Sequence, residues 1–413
     1  MVESNNLQSD QPRTSQSAQC CIVGCGPAGA MLGFLLARRG IDVLVLEKHG
    51  DFLRDFRGDT IHPSTIQILQ EVGLADQLLD LPHAQAPAFA VHTALGTMTL
   101  ADFSRLKIRW PYLMFLPQWD FLTFLTDQAQ RFPSFHVVMH AQAQELIEEG
   151  SVICGVRYQA ADGWHEVRAD LTVAADGRSS QMRKLAGLVP LETSAPMDVL
   201  WFRLSRREND LASILFNIDA GHIIGLIYRG DFWQVAYVIP KGTDPHVREA
   251  GLESLKQSLC RVVPWLEDRV DELQTWEQVK LLVVQSNRLR HWYRPGLLCI
   301  GDAAHAMSPI GGVGINLAIQ DAVVAANILT KPLQANHVRE RHLAAIQRRR
   351  VWPTRVIQTL QSLMQQRLTA PALRSSHAPM LPAPVRVLLR LPGVRMLPAR
   401  LIALGVWPVH VRN

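Results

Sequence analysis

Apolar residues in this chain come in short unbroken runs separated by turn residues. Cys20 to Val23 is wholly apolar over strand length, which suits a strand buried on both faces. From Ala28 to Arg39 the chain is apolar almost all round, which predicts a helix wedged against a sheet and ended by Gly40. A second strand is predicted over Ile41 to Leu46. Pro63 then starts a helix with Ile66, Leu69 and Val72 on one face and Gly73 as its stop. A hairpin is predicted over 89–101, a helix over Trp119 to Arg131 and a strand over Phe135 to His140. Two more strands, Ser151 to Gln159 and Glu166 to Ala175, flank the turn Ala161-Asp162-Gly163, and a short basic helix follows.

From Asp198 to Ile239 the pattern changes to loose alternation, with turns at 219–221 and 229–231. This predicts an antiparallel sheet rich in rings, among them Trp201, Phe202, Phe216, Tyr228, Phe232, Trp233 and Tyr237. Such a sheet is a core by default, and one face of it suits an aromatic ligand pocket. A helix near 246–260, a strand near 279–284, a buried strand Leu297 to Ile300 and a helix Ile315 to Leu329 complete the α/β pattern.

At 413 residues the chain is long enough for two cores, and its 48% hydrophobic and 19% charged residues are ordinary for a globular protein. No apolar run reaches the roughly 18–20 residues that cross a bilayer. Residues 1–17 are polar, contain acids and lack an apolar centre, so a disordered tail is expected there rather than a signal peptide or presequence. The cysteines at 20, 21, 25, 154, 260 and 299 have no metal-ligand spacing and read as buried thiols of a cytoplasmic protein, with no metal site. The motifs H-E-x-x-H, paired C-x-x-C and G-x-S-x-G are missing, which leaves metalloprotease, zinc and α/β-hydrolase readings without support.

Gly24, Gly26 and Gly29 fill G-x-G-x-x-G between the first strand and its helix, in the run Gly24-Cys25-Gly26-Pro27-Ala28-Gly29. The glycines allow a tight turn, a close backbone approach to pyrophosphate and close helix packing. Glu47 and Lys48 follow the second strand, with Glu47 18 residues after Gly29, where an acid accepts the hydroxyls of an adenosine ribose. This is a dinucleotide site. The loop before Pro63 holds Arg54, Asp55, Arg57, Gly58 and Asp59, and at least one of its arginines is expected on a phosphate or ribose. Gly301-Asp302 ends a buried strand and sets a carboxylate at the carboxyl edge of the sheet. Pro309, Gly311, Gly312 and Gly314 then form a loop whose backbone suits a flat ring, with a helix N-terminus pointing into it.

Three motifs stand in order: Gly24-x-Gly26-x-x-Gly29 with Glu47, Asp176-Gly177-x-x-Ser180-x-x-Arg183, and Gly301-Asp302-Ala303-Ala304-His305 with Pro309 and the glycines after it. Over roughly residues 18 to 345 the chain resembles the single-component FAD-dependent aromatic hydroxylases of the p-hydroxybenzoate hydroxylase class. The resemblance implies a Rossmann-like FAD-binding domain with a βαβ glycine loop, made of residues 18–88, 118–190 and 285–345. It is interleaved with an antiparallel-sheet substrate domain of residues 89–117 and 191–284, and a basic C-terminal helical region, 346–413, follows. Gly24 to Gly29 and Glu47 are implied to hold the ADP half of FAD, Arg57 to reach the flavin side, and Gln118 to meet the ribityl phosphate. Asp302 takes the ribityl chain or its phosphate, the backbone from Pro309 through Gly314, Ile315 and Asn316 faces the isoalloxazine, and Asp176, Gly177 and Arg183 touch both FAD and NAD(P)H.

The implied activity is hydroxylation of an aromatic or conjugated small molecule, with NAD(P)H as transient reductant and O2 as co-substrate, through a flavin C4a-hydroperoxide. The alternatives are a reductase or dehydrogenase of the same fold, such as one acting on a prenyl lipid, and a non-catalytic FAD-binding protein. The halogenase signature W-x-W-x-I-P is missing, because Trp233 to Pro240 reads WQVAYVIP. The family's substrate-binding tyrosines and arginines find no clear counterparts here, and Tyr228, Tyr237, Arg203 and His222 are expected in core or surface. No nucleic-acid partner is expected.

The net charge of +5 hides an asymmetry: Arg339 to Asn413 holds 13 arginines, no lysine and the single acid Glu340, so +12, leaving −7 elsewhere. Arginines 386, 390, 395 and 400 lie among apolar residues, and two short helices are expected around Val385, Leu388 and Leu389 and around Leu401, Ile402 and Leu404, broken by Pro392, Gly393 and Pro398. These are expected to pack over the two domains with their arginines exposed and without stable membrane attachment.

Overall fold

A computed structural model of the chain describes residues 15–53, 59–93, 96–193, 195–210, 214–219, 221–374 and 392–412. Parallel strands run in the order Leu297–Cys299, Gly163–Ala174, Ser15–Val23, Val43–Leu46 and Phe135–Val138. The middle strand is buried on both faces at Cys20, Cys21 and Ile22, as its unbroken apolar run requires. On one face the helix Pro27–Ala37 packs with Gln118–Ala129 and Gly314–Gln334. On the other, the meander Gln142–Glu149 and Val152–Ala160 folds onto the first half of Gly163–Ala174. The strand Gln142–Glu149 was not foreseen, since its exposed glutamates mask the alternation.

The expected tail of 1–17 ends earlier: Ser15 to Ser17 already pair with Glu166 to Arg168. Ladder hydrogen bonds ask nothing of side chains, so a polar stretch extends a strand where its neighbour is long enough. Residues 1–14 lie outside the described residues.

The second sheet has the order Lys280–Leu282, Met197–Ser205, Phe232–Pro240, His222–Tyr228, Ile214–Asp219, Ala88–Thr93, Gly96–Asp102. It is antiparallel except where Ile214–Asp219 meets Ala88–Thr93 in parallel, a correction to the fully antiparallel expectation. The hairpin 88–102 comes from a distant part of the chain, so no tight turn fixes its direction. The amphipathic helix Leu252–Val262 covers one face of this sheet. The helix expected over 246–260 is split in two, Asp244–Glu249 and Leu252–Val262, by Gly251 at φ +87°.

The expected domain limits at 190/191 and 284/285 fall at one ladder, Pro190–Thr193 with Ser286–Leu289, where both crossings between domains run side by side. The limit at 345/346 is wrong, because it cuts the helix Glu340–Met364, which runs on through Pro353. Pro398 likewise lies inside the helix Pro392–Leu404 rather than breaking it. That helix buries Ala399 and Ala403 against Phe103, Leu113 and Phe115, with Arg400 exposed, as the packed-tail expectation has it. Val385, Leu388, Leu389, Arg386 and Arg390 lie outside the described residues. Beyond the helix, the Val411 N–H donates to Glu71 Oε2 at 2.7 Å and the Asn327 amide to His410 O at 2.8 Å, tying the chain end to the first domain.

Ile310–Gln334 is long and apolar enough to cross a bilayer, yet 78% of its apolar window is buried, because it is the core helix. Cys20, Cys21, Cys25 and Cys299 are buried, and burial pushes the Cys21 and Cys25 thiols up to about 12. They are inert core residues.

Candidate functional site

Parallel neighbours end at the same edge of a sheet, so loops far apart in sequence converge there. A cleft of about 830 Å³ follows that edge and reaches the second sheet. It is lined by Gly24, Gly26, Pro27, Ala28, Glu47, Lys48, Gln118, Asp176, Gly177, Asp302, Pro309, Gly311, Gly312, Gly314 and Ile315. Four other expected residues do not line it: Gly29, Arg183, Gly301 and Asn316. Arg57 lies outside the described residues.

The glycine loop is packed for close approach. A Cβ on Gly29 would stand 1.9 Å from Gly24 O, and one on Gly24 would stand 2.5 Å from Ala175 O. At Gly26 the space is open, so a ligand can lie against the bare backbone there. Glu47, 7% exposed, braces the loop: its Oε2 accepts from Cys25 N–H at 3.0 Å and its Oε1 from His49 N–H at 3.1 Å.

Asp176 accepts from the N–H groups of Gln181 at 2.7 Å and Met182 at 3.1 Å, which starts the helix Gln181–Leu185. Its Oδ1 is buried with no hydrogen-bond partner among the described residues, and burial pushes the carboxyl up. Arg183, expected on FAD and NAD(P)H, lies behind the cleft. It is 4% exposed and donates to Ala303 O at 3.0 Å and Arg178 O at 2.9 Å. It staples the second motif to the third.

Asn316 and Gly301 also act from behind the cleft. The Asn316 amide donates to Thr60 O at 3.2 Å and Gly312 O at 3.3 Å, and its oxygen accepts from His62 N–H at 2.9 Å and Thr65 Oγ1 at 2.7 Å. Every capacity of that amide is used, tying the glycine loop at Gly312 to the segment Thr60–Thr65. His62 Nδ1–H donates to Ile402 O at 2.6 Å, and burial pushes its pKa down to about 4, so the ring is neutral. Gly301 N–H donates to the buried Asp321 at 3.1 Å, which also meets His305 Nε2 at 2.6 Å and Arg350 Nε at 2.7 Å. Against the opposing effect of burial, the His305 ring and the Arg350 guanidinium hold the Asp321 carboxyl below its usual range. The sequence reading missed His62, Asp321 and Arg350. An acid inside the apolar run NLAIQDAVVAANIL was the available signal for Asp321.

The far end of the cleft is walled by Phe89, Phe115, Trp201, Phe216 and Ile227. Within it Arg229 pairs with Asp59, donates from Nε to Gln234 Oε1 at 2.8 Å and stacks 4.9 Å over the Phe115 ring. Trp201 and Phe216 belong to the sheet expected to wall a pocket, whereas Arg229 and Gln234 gave no periodic signal. Tyr228, Tyr237, Arg203 and His222 do not line the cleft; Tyr237 Oη meets His222 Nδ1 at 2.8 Å away from it.

One dinucleotide cleft feeding a separate ring-lined compartment is the arrangement of a flavoprotein monooxygenase. The chain belongs to the FAD binding domain family, whose model matches residues 17–359. It is 33% identical over 405 residues, 97% of this chain and 96% of the relative, to 6-methylpretetramide 4-monooxygenase of Streptomyces rimosus. Digeranylgeranylglycerophospholipid reductase 1 of Methanopyrus kandleri is 26% identical over 76% of this chain and 80% of its own. The structure of p-nitrophenol 4-monooxygenase PnpA from Pseudomonas putida DLL-E4 superposes with a TM-score of 0.74 at 19% identity, covering 94% of this chain and 98% of that one, a likeness of fold. The chain is an FAD-dependent aromatic monooxygenase.

Proposed function

We propose that this enzyme hydroxylates a fused-ring phenolic compound, of the size class of 6-methylpretetramide, at the ring-lined end of its cleft, with NADH or NADPH as reductant. The carrying observation is the continuity of the cleft from the loop Pro309–Gly314 to the wall of Phe89, Trp201 and Phe216. When bound, FAD supplies the redox chemistry, passing electrons from the nicotinamide to dioxygen.

The remaining work falls to the protein. Gly24, Gly26 and the helix start at Pro27 receive the pyrophosphate, and Glu47 the adenosine ribose. Asp176 has an unpartnered oxygen to offer a hydroxyl; Gln118 and Asp302 line the cleft, where Gln118 would hold the ribityl phosphate and Asp302 the ribityl chain or its phosphate. The helix Gly314–Gln334 points its N-terminus at the cleft, favouring negative charge on the ring it faces by up to ~2 kcal/mol. The aromatic wall excludes water from the reacting positions and offers ring faces to a planar substrate. The Arg229–Asp59–Gln234 cluster presents polar groups at fixed positions, which orients a substrate oxygen. No acid–base pair is required of the protein.

Turnover of 6-methylpretetramide and simpler naphthols under labelled dioxygen tests this. Label in the product, with stoichiometric NAD(P)H consumption, is expected. A product that gains hydrogen without labelled oxygen would instead place the chain with the prenyl-lipid reductase.

A further inference from the structure

The helix Glu340–Met364 and the turn Gln365–Thr369 that continues it are amphipathic the wrong way round for a helix of a protein core. Leu343 and Ile346 are buried in its first turns, but from Arg350 on its buried side is largely polar. Gln358 donates to Asn287 O at 2.9 Å and Ala306 O at 3.1 Å. Gln361 donates to Ser308 O at 3.0 Å and Ile310 O at 2.8 Å, and Gln365 to Ser308 Oγ at 2.8 Å. These amides hold the backbone that leads into the flavin-facing loop. The large apolar side chains point to solvent instead: Trp352 is 57% exposed, Leu363 47%, Met364 42% and Leu368 42%, with Leu360 at 37%.

Leu360, Leu363, Met364 and Leu368 follow the i, i+3, i+4, i+8 spacing of one helical stripe, with Trp352 about two turns before them. Trp407, 55% exposed, joins the same surface through Arg349, whose guanidinium lies 5.9 Å from its ring. Arg348, Arg355 and Arg367 are exposed on the same helix, and no acid occurs between Arg341 and Arg412. Contiguous exposed apolar surface of this kind marks a binding face.

We propose that this face binds an anionic lipid surface, with the tryptophans and leucines entering the headgroup region and the arginines meeting lipid phosphates. Charge selects the occupant. A second copy would set the same arginines against one another across a two-fold axis. A groove-bound peptide is disfavoured, since the apolar residues stand exposed on a helix and are not among those lining the cleft. A basic helix with exposed tryptophan and leucine suits a bilayer interface. The sequence reading expected the C-terminal helices to pack over the two domains without stable membrane attachment. The helix Pro392–Leu404 does turn its apolar side inward, and the exposed face belongs to the preceding long helix.

Flotation of the full-length holoenzyme with vesicles decides this. Binding is expected to phosphatidylcholine containing one quarter phosphatidylglycerol, not to phosphatidylcholine alone, and to weaken as salt rises. Arg355→Gln with Arg367→Gln is expected to weaken it roughly thirty-fold. Leu360→Ser with Leu363→Ser, in protein that retains FAD, is expected to weaken it by at least about ten-fold. Holoenzyme that stays unbound at low salt would overturn the proposal. So would a dimer in light scattering that the Leu360→Ser and Leu363→Ser changes dissociate, which would make the face a contact between copies.

Discussion

Glu47 serves the fold directly, since its two oxygens hold the N–H groups of Cys25 and His49, and its proposed ribose contact would add a role in binding. Glu47→Ala is expected to weaken FAD binding by about 2–3 kcal/mol, and Asp302→Ala by a similar amount, as titration of the apoprotein would read. Retention of FAD at wild-type affinity in both variants would contradict the site. Arg183→Ala should lower FAD affinity and melting temperature together, because the residue joins two motifs from behind, and a selective loss of reduction rate would restore the expected nicotinamide contact. His62 gives a pH dependence. Its folded pKa is about 4 against an ordinary 6.5, so the unfolded state takes up a proton that the native ring refuses. The stability it contributes is complete above pH 6.5 and declines as pH falls toward 4, by roughly 3 kcal/mol in all. His62→Asn, which keeps a donor for Ile402 O, should flatten that decline in denaturation measured across the range.

Among the elements, those in the first βαβ unit were the easiest to read, because unbroken apolar runs, a glycine loop and a strand-end acid all agree there. The strands from 197 to 240 were equally legible, since alternation and turns mark them. The C-terminal helices were not. A helix that spends its glutamines inward and its leucines outward reverses the usual code, and Pro398 suggested a break in the last helix that neighbouring packing overrides. The buried pair of Asp321 and Arg350, each fully buried, joins the core helix to this last one. Arg350→Met alone should destabilise by about 3–5 kcal/mol because it strands a buried charge, whereas Arg350→Met with Asp321→Asn should recover much of that loss in thermal melts. Equal losses in the single and double variants would mean that the pair is not what matters there.

At the scale of the whole molecule, two sheets of different origin share one cleft, with the glycine loops and strand-end acids at the edge of the first and the rings of the second closing the far end. The first half of that site was readable because backbone-binding loops leave glycines and strand-end acids at fixed spacing. The second was not, because a ring-lined wall is assembled from strands distant in sequence and looks like any core until folded. Trp201→Ala and Phe216→Ala should therefore raise KM for the aromatic substrate while leaving FAD content unchanged, and loss of FAD in either would misplace the division. The most direct test is single-substrate turnover of 6-methylpretetramide by the FAD-loaded enzyme with NADPH, and separately NADH, under isotopically heavy dioxygen. One labelled oxygen atom per product molecule for each nicotinamide oxidised is the predicted result. A reduced product without label, formed at the same nicotinamide stoichiometry, would contradict it.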